Sequence, residues 1–299
     1  MRVVVAGSSG LIGSALVQAF RADGADVVRL VRREPAALGE MRWDPTHPEP
    51  GLLGAVDVLV NLGGAGLGEH RWTPAYREVI ASSRTQTTRT LAAMAARADH
   101  PPRVLISMSG IRYYGVERGQ ELLTEASVPG FDGFLPRVTH AWEDATAEAQ
   151  HAGVRVCHLR TGLILSSAGG LLPRLAPWFR NGLGAALGPR SAFWSYLSLH
   201  DAIDAIRFLA QNTEIGGPVN LTAPNPVRAG EFARALAEAS GHRARLHAPL
   251  WALRIAQGQM APEVLGSLRV LPTRLTDAGF RFRHPTITTA LVAALAHDD

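Results

Sequence analysis

Gly7-Ser8-Ser9-Gly10-Leu11-Ile12-Gly13 follows a valine-rich run, Val3–Ala6, and opens an amphipathic stretch, Leu11–Asp23. The spacing is G-x-x-G-x-x-G. Glycines at these positions permit a tight turn, close backbone approach to a pyrophosphate, and packing of a helix on a strand. The helix N-terminus then offers free N–H groups and a positive dipole end to phosphates. A glycine triplet alone is weak, since a structural turn would read the same way. Its place between strand and helix makes a dinucleotide the expected ligand. The next apolar run, Val27-Val28-Arg29-Leu30-Val31, ends in Arg32-Arg33. An acid near that point would hold a ribose 2′-hydroxyl, whereas an arginine suits a 2′-phosphate. The first acid, Glu34, comes later, so NADP(H) is the expected form. The alternative for Arg32 and Arg33 is a solvated pair on a surface loop.

The cations are of one kind. All 30 basic residues are arginines. This excludes a Schiff-base lysine, a pyridoxal-phosphate anchor, a Walker-type phosphate lysine and a lysine base. Arginine cannot replace them as a base, because its guanidinium stays protonated. The net charge of +4 is spread along the chain. Its densest runs are Arg29, Arg32, Arg33 and Arg243, Arg245, with no basic stripe interleaved with aromatics. Nucleic acid is therefore not an expected partner. The single cysteine, Cys157, excludes an internal disulfide. Its apolar neighbours Val154, Val156 and Leu159 make it a buried core thiol. The 11 histidines are scattered without ligand spacing, so no metal site is expected. Gly7 and Gly10 interrupt the first apolar run before a signal-peptide core forms. No apolar stretch reaches the ~18 residues of a membrane span. A cytoplasmic protein is expected.

These residues need a sheet to position them. Short runs at Val3–Ala6, Val27–Val31, Val56–Leu62, Val104–Ser107 and Val154–Leu159 read as strands. They alternate with helical stretches at Leu11–Asp23, Ser82–Arg97 and Thr139–Ala152. Such alternation predicts an α/β fold, a Rossmann-type doubly wound parallel sheet. After Leu165 the texture changes, with glycine and proline frequent over 166–196. His200–Gln211 and Ala229–Ser240 read as helices, the latter with Gly241 at its C′ position, and Val219–Leu221 reads as a strand. The expected organisation is a nucleotide-binding domain over 1–165, with 197–222 returning to it. Segments 166–196 and 223–299 would form a smaller C-terminal substrate lobe.

With these residues placed, the chain resembles the extended short-chain dehydrogenase/reductase superfamily. Within it, the chain is similar to the epimerase family of NADP-binding proteins, relatives of the sugar-nucleotide epimerases. The likeness is carried by the glycine loop, Arg42-Trp43-Asp44-Pro45, Val60-Asn61-Leu62-Gly63-Gly64-Ala65-Gly66, Arg71-Trp72-Thr73 and Ser83-Arg84. It continues through Tyr113-Tyr114-Gly115, Trp142-Glu143, Leu159-Arg160-Thr161-Gly162-Leu163-Ile164-Leu165, Thr222-Ala223-Pro224-Asn225-Pro226-Val227 and Val270-Leu271-Pro272. The resemblance implies that Leu62, Gly63 and Gly64 run along the cofactor ribose and phosphates, with Ser107 also on the cofactor. It implies that Arg84 reaches the cofactor from the following helix. Arg160, Gly162 and Ile164 would line the nicotinamide side. Relatives tend to carry Trp-Ile-His-Ile-Asp-Asp where this chain has Tyr196-Leu197-Ser198-Leu199-His200-Asp201.

The superfamily's usual acid/base pair is Tyr-x-x-x-Lys with an upstream serine. The matching positions here are Leu135 and Thr139, and neither can do that chemistry. Ser109 resembles the substrate-binding serine, and Tyr113 or Tyr114 could supply a phenol. An unassisted tyrosine titrates near ~10, so a cationic neighbour is needed, for which Arg137 and His140 are candidates. The bland alternatives are loop packing for Tyr114, a solvated helix residue for His140, and a packing role for Trp142. The implied function is an NADP(H)-dependent oxidoreductase or epimerase acting on a small, sugar-like substrate, as a monomer or homodimer. The alternative is a non-catalytic NADP(H)-binding sensor or partner-binding module.

Overall fold

The computed structural model describes residues 1–242, 246–248, 263 and 266–296. Arg243 and Arg245, one of the two dense arginine runs, lie outside the described residues. The chain divides into two compact units. One comprises Met1–Ser109, Val138–Leu159 and Ile203–Val219; the other comprises Gly110–Arg137, Arg160–Ala202 and Asn220–Asp299.

A seven-stranded sheet is built from β1 (Arg2–Ala6), β2 (Asp26–Val31), β3 (Glu40–Arg42), β4 (Val58–Asn61), β5 (Val104–Gly110), β6 (Arg155–Thr161) and β7 (Gly217–Leu221). Their order is β7-β6-β5-β4-β1-β2-β3. The ladders β1–β2, β1–β4, β2–β3 and β4–β5 all run parallel. Val3, Val4, Val5, Val58, Leu59 and Val60 are at most 1% exposed, as a strand covered on both faces requires. Unit boundaries fall near the carboxyl ends of β5, β6 and β7, at Ser109/Gly110, Leu159/Arg160 and Val219/Asn220. These strands therefore begin in one unit and end in the other. Segment 110–137, read above with the nucleotide-binding portion, clusters with 160–202.

The helices of the first unit are α1 (Leu11–Ala22), α2 (Pro74–Arg97), the end of α3 (Phe134–Asp144) and α4 (Ala147–His151). Leu91, Ala92 and Met94 of α2 and Ala149 of α4 share a buried cluster with Leu59 and Leu105. Helix α2 begins eight residues before the expected Ser82. Thr73 caps it by accepting the Tyr76 N–H at 3.2 Å, and Pro74 sits in its first turn. The helix expected over 139–152 is broken in two. Thr146 Oγ1 donates to the Glu143 carbonyl at 2.7 Å, a local side-chain bond that competes with the helical ladder.

In the second unit, helices α5 (Leu172–Arg180), α6 (Leu199–Gln211, in part), α7 (Ala229–Ala239), α8 (Thr273–Asp277) and α9 (Ile287–Leu295) accompany short paired strands. Leu163–Leu165 pairs with Tyr196–Ser198, Phe193–Trp194 with Val227–Arg228, and Leu122–Leu123 with Arg269–Val270. Gly241, at φ +77°, closes α7 as expected. Ser198 caps α6: its Oγ accepts the Asp201 N–H at 3.0 Å and lies 3.0 Å from His284 Nδ1. Among the described residues, no helix is long and apolar enough to cross a membrane.

The edge strand β3 was not foreseen, and Glu40 pins it. The Glu40 side chain is 1% exposed and accepts the Arg33 fork at 2.7 and 2.8 Å. It also accepts Arg29 at 3.1 Å and the Ala36 N–H at 2.8 Å. The Arg33 hydrogen bond, then the Ala36 N–H, hold the carboxyl at a pKa of about 2, below its ordinary 4.5. A depressed folded-state pKa gives stability that is complete above the unfolded value and is lost as pH falls toward the folded one. Denaturant unfolding followed from pH 4.5 down to about 2 should therefore show a steeper loss for wild type than for Glu40→Gln. Parallel pH curves for the two proteins would contradict this role.

Candidate functional site

The strand order reverses between β1 and β4, and ligands of open α/β sheets bind outside the carboxyl ends of strands at such a point. The glycine loop lies there. Gly7 has φ +77°, and a Cβ on it would stand 2.6 Å from the Leu62 carbonyl carbon. A Cβ on Gly13 would stand 2.2 Å from the Gly7 oxygen. Only glycine allows the loop to lie against β4 and α1 to start this close. Gly10 is the α1 N-cap and offers no side-chain cap, which leaves the first-turn N–H groups open to a ligand. Ser9 is exposed, and Leu11 and Ile12 are half-buried. Ser8 is 3% exposed, and its Oγ accepts Arg29 Nε at 3.2 Å.

At the end of β2, the two expected phosphate arginines differ. Arg33 is forked onto Glu40. Arg32 is exposed and forms no hydrogen bond or ion pair among the described residues. Arg29 and Glu40 were not foreseen as parts of this corner. An arginine inside an apolar strand was the available signal for the first; for Glu40 there was none.

After β4, Leu62 and Gly63 are half-buried and Gly64 is exposed. The Asn61 side chain holds this turn, accepting the Gly63 N–H at 3.1 Å and donating to Thr88 at 2.7 Å. Trp142 Nε1 donates to the same Thr88 hydroxyl at 2.8 Å, so Trp142 packs α3 in place as expected. Ser107 is 1% exposed, 3.5 Å from Asn61 Nδ2. The loop that follows is tied down rather than loose. Tyr76 donates to the Gly66 carbonyl at 2.5 Å, Ser83 accepts the Ala65 N–H at 3.0 Å, and Trp72 Nε1 donates to the Leu67 carbonyl at 2.8 Å.

Arg84 enters from α2 beneath this loop. It is 9% exposed, lies 5.1 Å from the Trp142 ring centroid, and donates Nη1 to the Ile80 carbonyl at 3.0 Å. A Cβ on Gly64 would stand 3.3 Å from its guanidinium carbon. Burial lowers its pKa from 12.5 to about 10, so it is charged at neutral pH. No carboxylate pairs with it among the described residues. A buried charge without a partner is costly.

Ser109 ends the first unit's stretch of β5. It is 4% exposed and donates to Glu143 Oε1 at 2.8 Å. Glu143 Oε2 lies 3.7 Å from His158 Nδ1, and His158 Nε2 lies 2.8 Å from Thr146 Oγ1. His158 was missed because the apolar run around Cys157 concealed it; Cys157 itself is buried. His140 is half-buried, one helical turn before Glu143.

In the second unit, Arg160 is 3% exposed, with its guanidinium carbon 3.3 Å from the Tyr113 ring centroid. Its Nη1 donates to the Tyr114 hydroxyl at 3.0 Å, and that hydroxyl donates to Asn220 Oδ1 at 2.7 Å. Tyr114 is fully buried, and desolvation pushes its pKa up to about 12 against the pull of Arg160. The cation beside the tyrosines is thus Arg160. Tyr113 is half-buried, as are Gly162 and Ile164. A Cβ on Gly162 would stand 2.5 Å from the Ser195 carbonyl.

Residues 3–222 match the NAD dependent epimerase/dehydratase family, and residues 248–294 match a domain of unknown function, DUF1731. The chain is 41% identical to an epimerase family protein of Mycobacterium bovis, over 97% of this chain and 96% of that one. The human epimerase family protein SDR39U1, solved with NADPH, superposes at a TM-score of 0.92 with 27% identity and complete coverage of both chains. A nucleoside-diphosphate sugar epimerase of Corynebacterium glutamicum superposes at 0.82 with 35% identity, over 99% of this chain and 58% of that one. The parallel sheet, the glycine loop at its switch point and these likenesses agree: the chain belongs to the NAD dependent epimerase/dehydratase family.

Proposed function

We propose that this chain binds NADP(H) across the carboxyl ends of β1 and β4 and acts as an epimerase- or oxidoreductase-type protein on a small substrate. The observation that carries the reading is Arg84, a buried guanidinium with no carboxylate partner among the described residues, beside a loop that only glycine can form. The human relative solved with NADPH supports the same cofactor. Backbone N–H groups of Gly7 through Gly13 and the first turn of α1 would hold the diphosphate, with Arg84 supplying charge. Leu62, Gly63, Gly64 and Ser107 would border the cofactor, and Arg32 would take the 2′-phosphate. Arg33 would flank it from its Glu40 anchor. Arg160, Gly162 and Ile164 would face the nicotinamide.

The cofactor, when bound, supplies hydride chemistry. The chain's own residues supply orientation and protons. Ser109 has its proton committed to Glu143, so its oxygen is left to accept from a substrate hydroxyl. The Tyr114 hydroxyl is committed on both sides and holds its proton too firmly for exchange near neutrality. Of the two phenols, Tyr113, under the Arg160 guanidinium, is the proposed proton donor. His140, near Glu143 on α3, is the remaining candidate. A second reading, NADP(H) binding without turnover, draws on the same locked Tyr114 and on the absence of lysine.

Fluorescence titration tests the cofactor. A charge-assisted contact contributes ~1.5–3 kcal/mol, about tenfold or more in affinity. Wild type should bind NADPH at least about tenfold tighter than NADH, and Arg32→Ala should erase the preference. Equal binding of both by wild type would defeat the 2′-phosphate assignment. Arg84→Met should weaken NADPH and NADH alike, because it acts on the part they share. Turnover separates the two readings. Among keto sugars and aldehydes offered with NADPH, an accepted substrate should react ~10²-fold or more slowly with Tyr113→Phe, at unchanged NADPH affinity. If none consumes NADPH, the non-catalytic reading stands.

A further inference from the structure

Helix α3 follows Gly133, which has no side chain to cap it, and its first turn holds no acid. An acceptor for that turn comes from far along the chain. Glu263 Oε1 accepts the Phe134 N–H at 2.6 Å, and its Oε2 accepts the Leu135 N–H at 3.0 Å. Two N–H groups that the helix itself cannot satisfy are thereby met, and a negative charge faces the positive end of the helix dipole. Gly133, at φ +116°, leaves room for this, since a Cβ there would stand 2.9 Å from both Glu263 oxygens. Leu135 is the position that matches the superfamily's tyrosine.

The same carboxylate acts on a cation. Arg112 is half-buried; burial lowers its pKa from 12.5 to about 10, and the charges of Glu263 and then Glu117 oppose the fall. It is therefore charged at neutral pH. Its Nη1 donates to the Val116 carbonyl at 2.9 Å, and its own carbonyl accepts the Gly115 N–H at 3.0 Å. Those bonds close the turn Ile111–Tyr114, which carries Tyr113 against the Arg160 guanidinium. Residues just past Glu263 grip the chain that leaves this turn. Ser267 N–H donates to Glu117 Oε2 at 3.0 Å, Ser267 Oγ donates to the Gly119 carbonyl at 2.6 Å, and the Ser267 carbonyl accepts the Arg118 N–H at 2.9 Å. A Cβ on Gly266 would stand 2.0 Å from the Val116 oxygen, so backbone lies directly on backbone there. All of these residues belong to the second unit. Taking the partner from an enclosed charge is costly, so Arg112 and Glu263 hold each other in place.

We infer that Glu263 is a positioning residue: it clamps the first turn of α3 and the turn that carries Tyr113, and so gives the C-terminal segment matching the domain of unknown function a role in the site. For its catalytic consequence the inference rests on the reading of Tyr113 as proton donor. A cap alone could come from a local serine, threonine or aspartate, as Thr73 supplies for α2. A carboxylate brought to Leu135 from 128 residues away ties together two elements that a local cap would leave separate.

Backbone amide exchange and arginine Nε–H NMR spectra of the full chain test this, in wild type, Glu263→Gln and the milder Glu263→Asp. In Glu263→Gln the Phe134 and Leu135 amides should exchange at least about tenfold faster. The Arg160 Nε–H signal, displaced by the Tyr113 ring, should move toward its position in Tyr113→Leu. NADPH affinity should stay as in wild type. Glu263→Asp, one methylene shorter, should show both changes at smaller size, which covers the case in which Glu263→Gln does not fold. Unchanged exchange at Phe134 and Leu135 overturns the inference. Faster exchange with an unmoved Arg160 signal overturns it too, because a cap with no hold on Tyr113 would give that result. Neither readout needs turnover, so both decide the matter even where no substrate is accepted and the catalytic reading fails. With an accepted substrate, Glu263→Gln should lower kcat ~tenfold or more at unchanged KM.

Discussion

A guanidinium buried at the carboxyl edge of a parallel sheet, with no carboxylate against it among the described residues, is the constraint around which the first unit is arranged. Arg84 is charged, because burial lowers its pKa only to about 10. Its surroundings supply one carbonyl and one indole face. On the loop side, backbone and small residues lie close. Gly7 permits the loop to touch Leu62, and Gly64 leaves room for the guanidinium itself. The Asn61–Thr88–Trp142 hydrogen bonds hold the turn and the helix that frame it. A fold that only packed a core would place an apolar residue there, since replacing buried ions with well-packed hydrophobes is often stabilising. An anion-binding corner has reason to keep the charge.

The chain lacks the tyrosine–lysine pair usual in the superfamily it resembles, with Leu135 and Thr139 at the matching positions. With no lysine in the sequence, cationic support comes from arginines that cannot lose their protons. Arg160 sits over Tyr113 and also holds Tyr114, so a single cation serves two phenols with opposite results. Tyr114 is used up as a structural strut. Tyr113 keeps a cation over its face. Ser109 is oriented by Glu143, which in turn lies near the buried His158.

Much of the fold was legible because its signals are local. Valine-rich runs and a glycine loop between strand and helix gave the parallel sheet and its switch point. Arg160 was legible as a charge inside an apolar strand, whereas Arg84, in a run of serines and threonines, was singled out only by the family resemblance. What was not legible depended on pairings across long sequence separations. Glu40 on β3 is a three-residue strand with no periodicity to detect, and its meaning comes from Arg29 and Arg33. The division of the chain was read as 1–165 with 197–222 returning, against a lobe of 166–196 and 223–299. The compact units instead change at Ser109/Gly110, Leu159/Arg160 and Val219/Asn220, near the carboxyl ends of β5, β6 and β7. No composition shift marks those points, because each strand continues straight through. The break between α3 and α4 falls beside Thr146, outside both helices, whose hydroxyl donates back to the Glu143 carbonyl of α3.

The measurement that bears most directly on this account is the unfolding free energy of ligand-free wild type and Arg84→Met, each repeated with saturating NADPH. If Arg84 is an uncompensated charge awaiting an anion, ligand-free Arg84→Met should be at least as stable as wild type. NADPH should then stabilise wild type by clearly more than the variant, reversing the order. A ligand-free Arg84→Met that loses several kcal/mol would contradict the account and mark the arginine as a satisfied structural cation.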